Sequence, residues 1–225
     1  MMVMRSRWLG YVVPAVAAAV SVWAYPRLPP RVATHWGLSG QPDGYSSRLV
    51  AALMLPLMIL GMRALLSVLP RIDPKGENYQ KFAGTYWLIF NGVIVFMGVM
   101  HLAILGFGMG APVRMDRVVA AGVGVLFIVI GNYITRVEPN WFVGFRTPWT
   151  LSSERVWHRT HRVGGWILVA GGVLIVLTLF VPAGAVMPVF ITTIALVAVV
   201  PVVLSYLWWR REREPTPKGR AAPPL

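Results

Sequence analysis

The residues of this 225-residue chain best suited to chemistry are its paired histidines, one aspartate in a turn-rich loop, and isolated arginines among apolar residues. His35 is followed eight residues later by Asp43, a spacing that could place both on one metal, but two donors without a third make a poor ligand set. The plainer reading has them hydrogen-bonded to each other. His158 and His161 are three apart, so on a helix their rings would be neighbours. No carboxylate completes that pair, and the intervening glutamate of a zinc-protease helix is missing. Ser152 and Ser153 near His158 and His161 resemble a nucleophile and base, yet serines opening a helix usually cap it. There is no G-x-S-x-G elbow, H-E-x-x-H helix, paired intramembrane aspartate or phosphate-cradling glycine loop. Cysteine is absent, which removes disulfides and thiolate chemistry. The inventory predicts a protein that is not an enzyme, with no cofactor and no metal.

Whatever these residues do, membrane spans position them. The chain is 56% hydrophobic and 13% charged, and its apolar residues fall in blocks long enough to cross a bilayer core. Six blocks qualify: Trp8 to Tyr25, Leu49 to Leu69, Ala83 to Phe107, Val118 to Thr135, Gly165 to Val181, and Val186 to Trp209. The fold class expected is an all-α integral membrane bundle with a short interfacial amphipathic helix. The first block has no small-residue cleavage site after a short apolar core and reads as a retained span. The net charge of +13 does not require nucleic acid, because the basic residues sort by side. With the N-terminus inside, fifteen of the 21 Lys and Arg fall in inner segments and five in outer ones, which predicts both termini cytoplasmic in a bacterial inner membrane. The chain divides into a two-span region over 8–70, a four-span region over 83–209, and a basic, proline-rich tail over 210–225 expected to be disordered and to lie on anionic lipid.

Within the spans the polar residues are Arg63, Asn91, His101 and Asn132, functional candidates because polar groups in hydrocarbon need partners. Helix-to-helix hydrogen bonding is the simpler role. A cavity lined by the four would instead suit a small-solute or lipid transporter. No span contains an acidic residue, which argues against a carboxylate proton relay.

Two loops are too particular to be connectors. The first, Tyr25 to Arg48, has Gln41-Pro42-Asp43-Gly44 in the pattern of a tight turn, around which His35, Trp36, Asp43 and Tyr45 could converge. The second, Asn140 to Leu151, reads N-W-F-V-G-F-R-T-P-W-T-L. Arg146 offers a planar fork to a carboxylate or phosphate, with Glu138, Glu154 or lipid as partner. After it, Ser152 and Glu154 suit a helix start, predicting a helix from Ser153 to about Gly164. Val156, Trp157, Thr160 and Gly164 would face the lipid boundary, and Arg155, His158, Arg159 and Arg162 the cytosol.

The segment Gly131 to Gly165 strongly resembles the signature of the SdpI family, membrane proteins named for immunity to a sporulation-delaying toxin. The run L-P-P-R-V-A-T-H-W-G-L-S-G-Q-P-D-G-Y, from Leu28, is similar to the domain of unknown function that often precedes that signature. The family pattern falls on Asn132, Pro139, Asn140, Gly144, Arg146, Thr147, Pro148, Trp149, Leu151, Trp157, His161 and Gly164. In the outer loop it falls on Pro29, His35, Trp36, Gly40, Pro42, Asp43 and Gly44. The resemblance implies a six-span protein that protects its cell from a membrane-active peptide toxin on the outer face. It also implies a signalling role, in which the toxin-engaged protein holds a cytoplasmic transcriptional repressor at the membrane. The expected outer surface is His35, Trp36, Asp43, Gly44 and Tyr45; the inner one is Asn140, Arg146, Thr147, Pro148, Trp149, Trp157 and His161.

Overall fold

A computed structural model describes residues 7–37 and 40–213. Its helices are α1 (Leu9–Ala24), α2 (Arg48–Ile72), α3 (Tyr79–Gly108), α4 (Met115–Ile134), the single-turn α5 (Pro148–Ser152), α6 (Glu154–Leu177) and α7 (Ala183–Arg213). Six of them are long and apolar enough to cross a membrane. Their outer faces keep large apolar side chains exposed, among them Val22, Trp166 and Phe180, as lipid-facing surfaces do and water-facing ones rarely do. The chain is an all-α, multi-pass membrane protein.

Several details differ from expectation. The first loop is an antiparallel hairpin, β1 (Arg31–Trp36) and β2 (Pro42–Ser47), so Pro42, Asp43 and Gly44 lie in a strand. The reversal comes earlier, where Gly37 N–H donates to the Gln41 carbonyl. The helix expected over Ser153 to Gly164 does form, but it does not stop, and α6 continues to Leu177. Its Val156, Trp157, Thr160 and Gly164 face the protein interior, not the lipid boundary, while Arg155, His158, Arg159 and Arg162 are exposed. Finally, α7 carries on through Arg210 and Arg213, and the rest of the expected tail, 214–225, lies outside the described residues.

Packing follows from where side chains are small. α4 and α6 run antiparallel with glycines in register: a Cβ on Gly131 would lie 2.6 Å from the Gly165 carbonyl oxygen, and one on Gly172 would lie 2.5 Å from that of Gly124. Only glycine lets the two backbones touch, and in lipid such close contact replaces the hydrophobic drive. On the other side, α1, α2 and α3 enclose Ile59, Leu66, Tyr86, Ile89 and Ile94, a core that extends to Val137 and Trp157. α3 begins at Tyr79, a turn before the expected Ala83, and departs from helical geometry at Phe82 (φ −126°, ψ 21°).

Candidate functional site

Six crossings place the hairpin at one end of the bundle and the 135–153 loop at the other. The hairpin is seated on the end of α3: Leu28 and Val32 pack with Ile104, Leu105 and Met115, and Trp36 meets Phe107 edge to face at 5.5 Å. A register irregularity on either side of His35 sets it opposite Gly44, where a Cβ would fall 2.8 Å from the His35 Cβ. His35 Nδ1 and Asp43 Oδ1 are 2.5 Å apart. Both side chains are exposed, as is Tyr45. The strand alternation thus holds Trp36 down and presents His35, Asp43 and Tyr45 to the surroundings.

At the opposite end the N-W-F-V-G-F-R-T-P-W-T-L run is a folded unit. Asn140 is its hub: its side-chain oxygen accepts from the Phe142 and Val143 amides at 2.9 and 2.6 Å, and its nitrogen donates to the Glu138 and Val143 carbonyls. Thr147 and Thr150 form a reciprocal capping box that starts α5 with Pro148 in its first turn. Ser153, rather than Ser152, caps α6 by accepting from the Val156 amide. The Trp157 indole N–H donates to the Val137 carbonyl at 2.8 Å, and its ring stacks on His161 at 4.1 Å. His161 Nε2 accepts the Phe145 amide at 3.0 Å while Nδ1 donates to the Trp157 carbonyl at 2.8 Å, a pattern only the neutral Nδ1–H tautomer satisfies. α7 closes this unit through Thr147 to Ser205 at 3.1 Å, Trp149 against Tyr206, and Ser153 to Glu212.

Asn140, Thr147, Trp157 and His161 are therefore buried, with their polar atoms engaged inside the protein. Arg146 and Pro148 are exposed and Trp149 half-buried. Arg146 donates to the Trp141 carbonyl at 2.9 Å and takes part in no ion pair among the described residues; Glu138 approaches His158 at 3.9 Å instead. Two residues that the sequence did not single out complete the unit. Asp73, at the end of α2, accepts from the Trp141 amide, the Tyr79 hydroxyl and the Lys75 amide at 2.8 to 2.9 Å, and Tyr79 also reaches Asn140 at 3.4 Å. Between Arg71 and Lys75, Asp73 has the sequence appearance of an ordinary loop charge. Its burial is explained by the Tyr79 hydroxyl and by the Trp141 amide, which is distant in the sequence.

The intramembrane polar residues take separate places. His101 Nε2 meets Ser21 Oγ at 2.8 Å, and Ser21 also donates to the Ala52 carbonyl, tying α1, α2 and α3 together. Asn91 is fully buried in α3. Asn132 donates to the Ile128 carbonyl and lines a small cleft between α4 and α6 with Arg162 and Trp166. Arg63 lines a different cleft, beside Trp87, which holds none of the other three.

Comparison with known proteins matches two separate segments of the chain. Residues 136–205 match the SdpI/YfhL protein family, and residues 12–60 match a domain of unknown function, DUF1648. The chain carries an SdpI-family domain. Immunity protein SdpI of Bacillus subtilis (strain 168) is 24% identical over 208 residues, covering 92% of this chain and 98% of that relative. No solved structure matches. The SdpI segment begins beside the Asn140 hub and ends at Ser205, the residue of α7 that closes on Thr147. The DUF1648 segment holds most of α1, the hairpin and the first half of α2.

Proposed function

We propose that this SdpI-family protein is an immunity protein that shields its membrane from a peptide toxin, meeting it at the hairpin. The observation that carries the reading is the end-to-end similarity to an immunity protein, which takes in both the hairpin and the Asn140 unit. A non-enzymatic role fits that relationship. The positive-inside distribution puts the hairpin outside. There His35, Asp43 and Tyr45 form an exposed polar and aromatic face on a two-strand platform, seated on α3 and continuous with α1 and α2. On the cytoplasmic side, Arg146, Pro148 and Trp149, with the exposed arginines of α6, make the surface that would hold a repressor. The buried Asn140, Trp157 and His161 then act by shaping that surface rather than by touching a partner.

The test is survival of a sensitive bacterium expressing the protein and challenged with a panel of membrane-active peptides. Wild type should protect, and the Asp43→Ala and Tyr45→Ala variants should lose protection at matched membrane levels, while Arg146→Ala should keep protection and lose any toxin-dependent recruitment of a cytoplasmic partner. Absence of protection against every peptide would sink the immunity reading.

A further inference from the structure

The cleft between α1, α2 and α3 contains a charge that no ion pair among the described residues balances. Arg63 is only 6% exposed, and an arginine does not shed its proton to escape burial. Among the described residues it joins no ion pair; its one side-chain hydrogen bond is donated by Nη1 to Ser67, and Nε has no partner. Tyr11 and Trp87 lie 4.6 and 4.5 Å from the guanidinium carbon, which supplies cation–π attraction but no counter-charge. The seat is built for this side chain, since any Cβ on Gly10 would collide with the Arg63 stem. Arg7 and Arg71 share the lining, Arg7 approaches the same Trp87 ring at 5.9 Å, and among the described residues no Asp or Glu lines the cleft, whose volume is about 450 Å³. Buried charges are paired, and a buried cation with no counter-charge among the described residues points to an anion supplied from outside.

We infer that this cleft binds a phosphate group, with Arg63 as its buried anchor and Arg7 and Arg71 at its rim. The cleft opens between spans at the end of the bundle that carries Arg71, Gly76 and Tyr79, where tryptophan and arginine mark the headgroup level of a bilayer. Basic pockets between spans on that side suit anionic headgroups, and an arginine fork suits the phosphate. The headgroup of an anionic phospholipid and free phosphate share this chemistry, and the experiment separates them.

The full chain, stripped of lipid in a neutral detergent, is offered phosphatidylglycerol, diacylglycerol or inorganic phosphate, with bound lipid read by native mass spectrometry and affinity by titration. Phosphatidylglycerol should be retained and diacylglycerol should not. Arg63→Gln should weaken retention by about tenfold or more, the effect of one lost charge-assisted hydrogen bond. Arg117→Gln, at the opposite end of the bundle, should leave retention unchanged. If Arg63→Gln fails to fold, the double variant Arg7→Gln, Arg71→Gln at the exposed rim carries the test. Displacement of the lipid by millimolar phosphate, with phosphate alone stabilising wild type but not the variants, supports the site and names a soluble source. Equal retention of diacylglycerol, or unchanged retention in both arginine variants, overturns the inference.

Discussion

Gly144 holds the centre of the Asn140 unit because of two properties of its position. Its φ of +113° is a conformation that side chains resist, and any Cβ there would run into His161 Nε2. Gly144→Ala should therefore both strain the backbone and push His161 from the Phe145 amide, costing on the order of 1–3 kcal/mol for the strain alone. A lower thermal midpoint in detergent is the expected result, and an unshifted one would mean His161 is not held by that amide. Asp73 makes a second residue-scale case. Asp73→Ala leaves the Trp141 amide without its acceptor, at about 1–3 kcal/mol for a buried donor, and leaves the Tyr79 hydroxyl only its longer contact with Asn140 at 3.4 Å. Asp73→Asn keeps one acceptor oxygen and should lose less. The order wild type, Asn, Ala in unfolding midpoint checks the assignment.

At the scale of elements, the bundle is joined by surfaces of opposite kinds. α4 and α6 meet backbone to backbone at Gly131 with Gly165 and Gly124 with Gly172, whereas α1, α2 and α3 meet through the Ser21, His101 and Ala52 hydrogen bonds and interlocked side chains. Gly131→Leu inserts a side chain where there is no room for a methyl group, and overpacking of this sort costs about 1–3 kcal/mol or more. Gly61, on α2, has no atom within 4 Å of an added Cβ, so Gly61→Ala should be neutral or mildly stabilising. Thermal unfolding of the two variants side by side distinguishes helix contact from a general intolerance of glycine replacement. The hairpin is a further element whose stability is borrowed: a two-strand ribbon is marginal alone, and here it rests on Phe107, Ile104 and Met115 of α3 and α4.

For the whole molecule, the deciding property is which end faces which side. Because the chain has no cysteine, single cysteines can report it without a background. Tyr45→Cys in the hairpin should react with a membrane-impermeant maleimide on intact cells, and Arg146→Cys should react only after permeabilisation. The reverse pattern would invert the bundle and place the proposed toxin surface in the cytoplasm. The expected labelling pattern would put the Arg63 cleft in the inner leaflet, so labelling also fixes which lipids can reach it.

The amino-acid sequence alone determined the six spans, since length and apolarity are local properties, and it pointed to the family through two runs of particular residues. It also determined the exposed face of α6, because Arg155, His158, Arg159 and Arg162 recur at helical spacing. Tertiary structure decided the rest. Trp157 and His161 were legible as special, but their direction depended on Val137 and Phe145, which reach them across the loop. Asp73 carries no local mark of burial, and the in-register glycines of α4 and α6 gain meaning only when the two helices lie side by side. The buried charge of Arg63 was visible as an anomaly in the sequence; that Tyr11 and Trp87 flank it, without an acid, was settled by the way α1 and α3 close around α2.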